Sequence, residues 1–341
     1  MRSLLSKLRN LRGGSFSGDV VLRAFGKLPI FREYIHVEDG EGPARAFAEW
    51  LGSGHDAWVA AHTEATRGEL QPARLAITMP GHESTWIVAA VWPSHDAAPR
   101  HFPFTLFVTI PASGAPADPT GRLLNCQQVW ERLDDIWSRL QPTDANACHA
   151  ALRDARLTLA PIDAQSATQQ IAADASKISW RAWLDALARQ HGSVDAAHWM
   201  WWLKLLADGW SLDNAERRPV SARCPLTGEF PMMTQAVTWL QWLEKRVFSS
   251  SRRATGPAPL SIMLPASPSP AKPALTVLEG SPEPHDVQLL TTNADSFAGV
   301  EELARPAEAL ELDGFESFSQ RVSRELADAK ASLWSFSQFT A

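Results

Sequence analysis

The sequence predicts an α+β protein, with a mainly antiparallel sheet and flanking helices in its N-terminal part and a Trp-rich helical second half. Three observations predict it. Strand-like runs at Arg74–Met79 and Ser84–Trp92 are separated only by Pro80-Gly81-His82-Glu83, a short turn that suits a hairpin and therefore antiparallel pairing. The order along the first 140 residues reads strand, helix, three strands, helix, which is not the alternation of a doubly wound nucleotide-binding sheet. The chain carries 15 Trp against a single Tyr, and beyond Leu140 many of those indoles recur on helical periods.

Each element has a local reason. Asp19–Phe25 is β-branched and apolar and stops at Gly26, so it reads as the first strand. Ala44–Ala61 places Ala46, Phe47, Trp50, Leu51, Ala57, Trp58 and Ala61 on one helical face, with Gly52 and Gly54 as candidate breaks. Phe102–Ile110 is the third of the later strands. Leu123–Leu140 carries Val129, Trp130, Leu133, Ile136, Trp137 and Leu140 on one stripe. Further helices are expected over Ile178–Gln190, Ala196–Leu206 (with Trp199, Trp202, Leu203 and Leu206) and Met232–Val247, with Cys224–Gly228 as a turn between them. Leu260–Leu264, Leu275–Leu278 and Val287–Thr291 read as short strands, and Phe315–Phe336 as a closing helix burying Phe318, Val322, Leu326, Ala329 and Leu333. Four regions result: a basic arm over 1–18, an α+β domain over 19–140, a Trp-rich helical region over 141–248, and a Ser/Pro linker, short strands and an acidic C-terminal helix over 249–341.

Composition excludes several functions. A net charge of −6 argues against a nucleic-acid binder. No apolar run approaches the roughly 18 residues of a membrane span, and residues 1–12 lack a signal peptide's apolar segment and cleavage site. Contact of residues 1–12 with a membrane would be peripheral at most. Cys126, Cys148 and Cys224 are odd in number and widely spaced, which fits buried reduced thiols and a cytoplasmic location rather than a zinc site or disulfide framework. From Glu279 onward 12 acidic residues face 4 basic ones, a solvated surface or a docking face for a basic patch.

Catalytic signatures are missing. His62-Thr63-Glu64 is half a zinc-deaminase signature without its Pro-Cys-x-x-Cys. His36 near Glu38 and Asp39, and His82 beside Glu83, are loop pairs with nothing to orient them. No residue is assigned a catalytic, cofactor-binding or metal-binding role, and no cofactor is expected.

Two motifs remain. Gly26-Lys27-Leu28-Pro29 ends the first strand with a glycine free to take φ > 0 and a proline that sets the exit. It is not a phosphate loop, because no second glycine stands at the required spacing and no Ser or Thr follows Lys27. A strand-end Lys27 pointing to solvent is the expectation. Pro93-Ser94-His95-Asp96-Ala97-Ala98-Pro99-Arg100-His101-Phe102-Pro103-Phe104 precedes a strand, where Pro103 is tolerated. Asp96 can pair with Arg100 and order that loop, and as a surface pair it would contribute only about 0–1 kcal/mol. The two motifs are expected side by side at a shared sheet edge.

Together these motifs resemble those of the TagF family of type VI secretion accessory proteins. That family carries Gly-Lys-Leu-Pro followed after two residues by Gly-Asp-Phe, and further on Pro-Ser, an Asp, an Arg and Phe-Pro-Leu. Here Gly26, Lys27, Leu28 and Pro29 match the first, with Arg32-Glu33-Tyr34 replacing Gly-Asp-Phe. Pro93, Ser94, Asp96, Arg100, Phe102 and Pro103 match the second, with Phe104 for Leu. The resemblance covers about residues 20–140. It implies a longin- or SNARE-like N-terminal domain and a non-enzymatic cytoplasmic regulator. Such a regulator restrains assembly or firing of the secretion machine, with a forkhead-associated scaffold protein among its partners. Two rivals are an enzyme, hydrolase or transferase, with an unfamiliar site around Lys27, Asp96 and Arg100, and a structural baseplate component.

Overall fold

The computed structural model describes residues 17–37, 41–63, 68–112, 119–140, 144–191, 221–246, 260–266, 272–291, 300–302, 315–328 and 331–338. The basic arm, the loop at 38–40, Glu64, the Ala196–Leu206 helix and most of the Ser/Pro and acidic stretches lie outside these residues. Among the described residues the chain runs β1 (Gly18–Val21), β2 (Arg23–Gly26), β3 (Ile35–Val37), α1 (Pro43–Ala61), β4 (Ala73–Thr78), β5 (Thr85–Trp92), β6 (Phe104–Pro111) and α2 (Pro119–Arg139). It continues with α3 (Ala145–Asp154), β7 (Arg156–Leu159), α4 (Ala164–Lys177), α5 (Trp180–His191), β8 (Ser221–Pro225) and α6 (Met232–Arg246). The remainder is β9 (Leu260–Pro265), β10 (Ala274–Glu279), a 3-10 helix (Pro284–Leu290), β11 (Val300–Glu302), α7 (Phe315–Ala327) and α8 (Leu333–Gln338). The elements form two compact units, one from Met1–Thr168, Leu260–Ala266 and Ser281–Ala294, the other from Gln169–Pro259, Ser267–Gly280 and Asp295–Ala341.

In the first unit the strands lie in the order β9-β4-β5-β6-β2-β3, every pair antiparallel. The hairpin expected at Pro80–Glu83 joins β4 to β5. Its turn is closed by the Gly81 amide donating to the Glu83 carboxylate at 2.9 Å. Helices cover both faces of this sheet. Phe47 of α1 meets Phe107 at 4.9 Å on one side, while Trp137 of α2 stacks on Trp92 and Phe104 on the other. Phe104 and Phe107 differ by an odd number of positions, so the strand's period of two sends them to opposite faces. The indole of Trp130 donates to the Leu75 carbonyl at 3.2 Å, which satisfies the N–H of a fully buried ring. Asp144 caps α3 by accepting from the amides of Asn146 and Ala147.

Several expectations are corrected by packing. The first strand is two, β1 and β2, because β1 leaves the main sheet to pair with β7. Ile35–Val37 and Arg156–Leu159 are strands too short to show a period. The buried face of α1 is Ala44, Phe47, Trp50, Leu51, Gly54, His55 and Trp58, whereas Ala57 and Ala61 are exposed. Gly54 does not split the helix. It admits the 3-10 helix, whose Pro284 carbonyl and Val287 side chain occupy the space of a Cβ, and the Trp50 indole donates to the Glu283 carbonyl at 2.7 Å. Val287–Leu290 is therefore part of a 3-10 helix packed on α1, not a strand, and only Thr291 pairs, in an isolated antiparallel bridge with Leu70.

The second unit mixes helices with strands in the order β11-β8-β10, β10 antiparallel and β11 parallel to β8. Cys224–Gly228, expected as a turn between helices, instead begins within a strand, Ser221–Pro225, and the turn follows it. Gln235 builds that turn. Its side chain accepts from the Trp183 indole and the Thr227 amide and donates to the carbonyls of Thr227 and Phe230, so all four bonding positions of a fully buried amide are satisfied. An open pocket of about 410 Å³ lies against this turn, lined by Thr227 and Glu229 as well as Leu226, Phe230, Pro231, Met232 and Pro273. The closing helix is broken: α7 ends at Ala327, and α8 brings Phe336 into a nest of indoles. Its ring lies 5.1 Å from Trp183, 5.2 Å from Trp239, 5.9 Å from Trp180 and 6.2 Å from Trp242. The Trp surplus is thus core material wherever these rings are described.

Phe336→Ala should lower the stability of the full chain by about 3–5 kcal/mol in chemical denaturation, the usual penalty for emptying a buried aromatic site. Phe336→Leu should lose less than half of that. A change for Phe336→Ala within about 0.5 kcal/mol, as for surface substitutions, would show that the indole nest does not carry this unit.

Candidate functional site

Gly26 and Phe104 are Cα partners across β2 and β6, so the two motifs meet at the end of that strand pair. Gly26 sits at φ +127°, and a Cβ there would collide with the Pro103 carbonyl and the Phe104 backbone. The glycine is required twice, by its dihedral and by the close approach. Past it, Phe31 donates its amide to the Leu28 carbonyl and turns the chain back. Opposite, residues 94–102 form a tight loop in which the Phe102 amide donates to Ser94 and the Asp96 amide to Arg100. The Ala97 amide donates to the Phe31 carbonyl at 2.8 Å and ties the two loops together.

Asp96 is the centre of this arrangement and is completely covered. Its Oδ1 accepts from the amides of Ala98 (2.8 Å) and Arg100 (3.0 Å). Its Oδ2 accepts from Arg100 Nε at 2.7 Å and pairs with Lys27 Nζ at 3.1 Å. A carboxylate has about four lone-pair sites, and all are engaged. Burial pushes its pKa up. The Arg100 amide, the Lys27 ammonium, the Ala98 amide and the Arg100 side chain outweigh that and hold it well below the ordinary carboxylate range. The cover comes from these partners rather than from depth, since the Arg100 side chain beside it is 56% exposed.

Two expectations are corrected. Lys27 does not point to solvent: its side chain is only 7% exposed, because a strand-end ammonium facing a buried carboxylate gains a partner it cannot have in water. Asp96–Arg100 is not a surface pair, because one partner is buried. Arg100 also donates from Nη2 to the Arg32 carbonyl at 2.6 Å, reaching the first loop.

Aromatic rings floor the surface. Tyr34 stacks on Phe25 at 5.7 Å, meets Phe102 edge-on at 4.8 Å and lies 4.9 Å from Lys27 Nζ. Phe102 in turn packs on His55 of α1 at 4.8 Å. The structure therefore gathers Gly26, Lys27, Tyr34, Asp96, Arg100, Phe102, Pro103 and Phe104. Leu28 is core, and Pro29, Glu33 and Pro93 are exposed at the rim. Ser94 contributes its carbonyl. Sequence reasoning missed Phe25, Phe31 and Arg32. Phe25 could have been found from strand parity beside Gly26, whereas Phe31 and Arg32 act through backbone carbonyls, which carry no residue-specific signal.

Among the described residues no group of three or more His, Cys, Asp or Glu side chains could hold a metal ion, and no helix is long and apolar enough to cross a membrane. The three cysteines are free and buried, and burial raises the thiols of Cys126 and Cys148, which leaves them poor nucleophiles.

Residues 24–155 match the model of the TagF N-terminal domain, described as Type VI secretion system-associated, in agreement with the motif resemblance. No curated protein matches the chain. Among solved structures, PA0076 from Pseudomonas aeruginosa PAO1 is similar at 20% identity with a TM-score of 0.34, covering 44% of this chain and 76% of that one.

Gly26→Ala should destabilise the first unit by more than the about 1–3 kcal/mol of backbone strain alone, measured by denaturant unfolding. A neutral result would show that the Pro103 approach relaxes freely. Because Asp96 has a lowered folded pKa, its contribution is present above its unfolded value of about 3.9 and is lost as pH falls through the folded value. The Tm deficit of Asp96→Asn should therefore be constant above about pH 5 and shrink below about pH 4. A deficit that grows on acidification would contradict the ionised, saturated carboxylate.

Proposed function

We propose that this chain, whose residues 24–155 match the model of the TagF N-terminal domain, is a non-enzymatic accessory protein of a bacterial type VI secretion system. It acts in the cytoplasm by occupying a partner protein and so restrains assembly or firing. The observation that carries this reading is the use made of the motif residues. Lys27, Asp96 and Arg100 are locked against one another, and what they hold in place is a surface with an exposed tyrosine and an exposed arginine. Residue types of that kind anchor protein interfaces. The motif resemblance adds repression as the direction of action and a forkhead-associated scaffold protein as a partner.

The rival enzymatic reading has one observation in its favour, since Lys27, Asp96 and Arg100 do converge. Their chemistry speaks against it. A carboxylate with every lone-pair site engaged and a lowered pKa is a weak base, and no nucleophile stands beside it among the described contacts.

Repression by occupancy should follow mass action. Secretion of a type VI substrate is measured while the copy number of this protein is titrated in its native cell. It should fall in proportion to the copies present and level off near equivalence with the target. Complete silencing at a small fraction of that level would indicate turnover and remove the occupancy reading.

A further inference from the structure

We infer that His95 and His101 together bind a divalent transition-metal ion of the zinc class, which clamps the neck of the loop presenting Asp96 and Arg100. The inference stands on the geometry of that neck and is independent of the regulatory reading.

Backbone pairing brings the two imidazoles together. His95 and His101 face each other in an isolated antiparallel bridge. On one side of it the Phe102 amide donates to the Ser94 carbonyl, and on the other the Asp96 amide donates to the Arg100 carbonyl. A pair bracketed in this way exchanges no backbone bond itself. Such pairs hold their Cα atoms about 4.5 Å apart, with both side chains on one face. Here the ring centroids are 6.1 Å apart. One ion bonded at about 2.0–2.1 Å to each ring spans at most about 4 Å between nitrogens, which fits that separation. The strand's period of two turns both rings to the face opposite Asp96, Arg100 and Phe102. The saturated carboxylate and its cations therefore stand apart from the pair.

One ring is already set for ligation. His95 Nδ1 lies 2.8 Å from the Asp96 carbonyl, and a carbonyl only accepts, so Nδ1 carries the proton. Nε2 of the neutral ring keeps its lone pair, the state in which imidazole binds metals. A backbone carbonyl on the other nitrogen is a usual outer partner of a ligating histidine. His95 is half-buried, whereas His101 is exposed and turns at little cost to complete the pair. Imidazole nitrogen selects zinc, copper or nickel over magnesium and calcium, which take oxygen ligands. Structural zinc sites use four protein ligands and catalytic ones three. Two leave positions for water, so the ion held here is exchangeable. His95 and His101 adjoin Asp96 and Arg100 in sequence, and an ion joining them closes the loop that fills the carboxylate's bonding positions.

The test uses the full chain without an affinity tag. Zinc is titrated by calorimetry at neutral pH, and nitrogen NMR follows the imidazoles of histidine-labelled protein. One equivalent should bind, moving the His95 Nε2 resonance while the Nδ1 proton is retained. His95→Gln and His101→Gln should each weaken binding by more than the about 10–100-fold lost with an outer partner. His285→Gln, a histidine flanked by Glu283 and Asp286, should leave it unchanged. The melting temperature should climb with zinc concentration, and that rise should vanish in His101→Gln, which alters only an exposed side chain. Binding should weaken on acidification, because the ligands must be deprotonated, and magnesium should not bind. No bound zinc overturns the inference. So does binding that survives both His95→Gln and His101→Gln, or that is lost with His285 instead, since the metal is then an adventitious ion only.

Discussion

The buried carboxylate of Asp96 is the constraint on which the motif surface depends. A charge removed from water is tolerated only when its bonding positions are filled, and here they are filled from both loops. Two amides of the 94–102 loop and the Arg100 side chain come from one side, and Lys27 comes from the other. The position of each group follows from that requirement. Lys27 is drawn inward, Arg100 is held flat across the junction, and its remaining reach is used on the Arg32 carbonyl. The Tyr34 ring closes over Lys27 and Phe25 and stays 41% exposed.

Steric close approach does the same work elsewhere in the first unit. At Gly26 the missing side chain lets the backbone of Pro103 and Phe104 come into contact with β2, which sets the distance between the two loops. At Gly54 it lets residues 284–287 lie on α1, and the Trp50 indole then bonds the Glu283 carbonyl. Both glycines read in isolation as breaks in an element. In the folded chain they are contact points, one between strands and one between a helix and a segment distant in sequence.

The second unit is organised differently, around large rings with a few polar fastenings. Phe336 fills the space among four indoles, and the Gln235 side chain joins the Trp183 indole to the turn after β8. Indoles suit this arrangement because each supplies a large apolar area and one N–H that needs an acceptor. Trp183 finds it in Gln235 and Trp239 in the Pro225 carbonyl. Part of the turn is also gripped from α5, where Arg189 bonds both carboxylate oxygens of Glu229.

The residue pattern by itself determined the α+β class, the β4–β5 hairpin, both helices flanking the sheet, and the adjacency of Gly26–Pro29 and Pro93–Phe104. Periodicity and turn chemistry are local properties, and the motif pairing was visible because both ends of it lie at strand termini. Only the tertiary structure decided that Lys27 is buried, that Asp96 is a saturated carboxylate rather than half of a surface pair, and that Val287–Leu290 coils into a 3-10 helix instead of a strand. It also decided that β1 leaves the sheet to join β7, and that Phe31 and Arg32 belong to the site through their carbonyls. Each of these depends on a partner far away in sequence. Desolvation and backbone hydrogen bonding are set by what is packed alongside, and no window of consecutive residues contains that information.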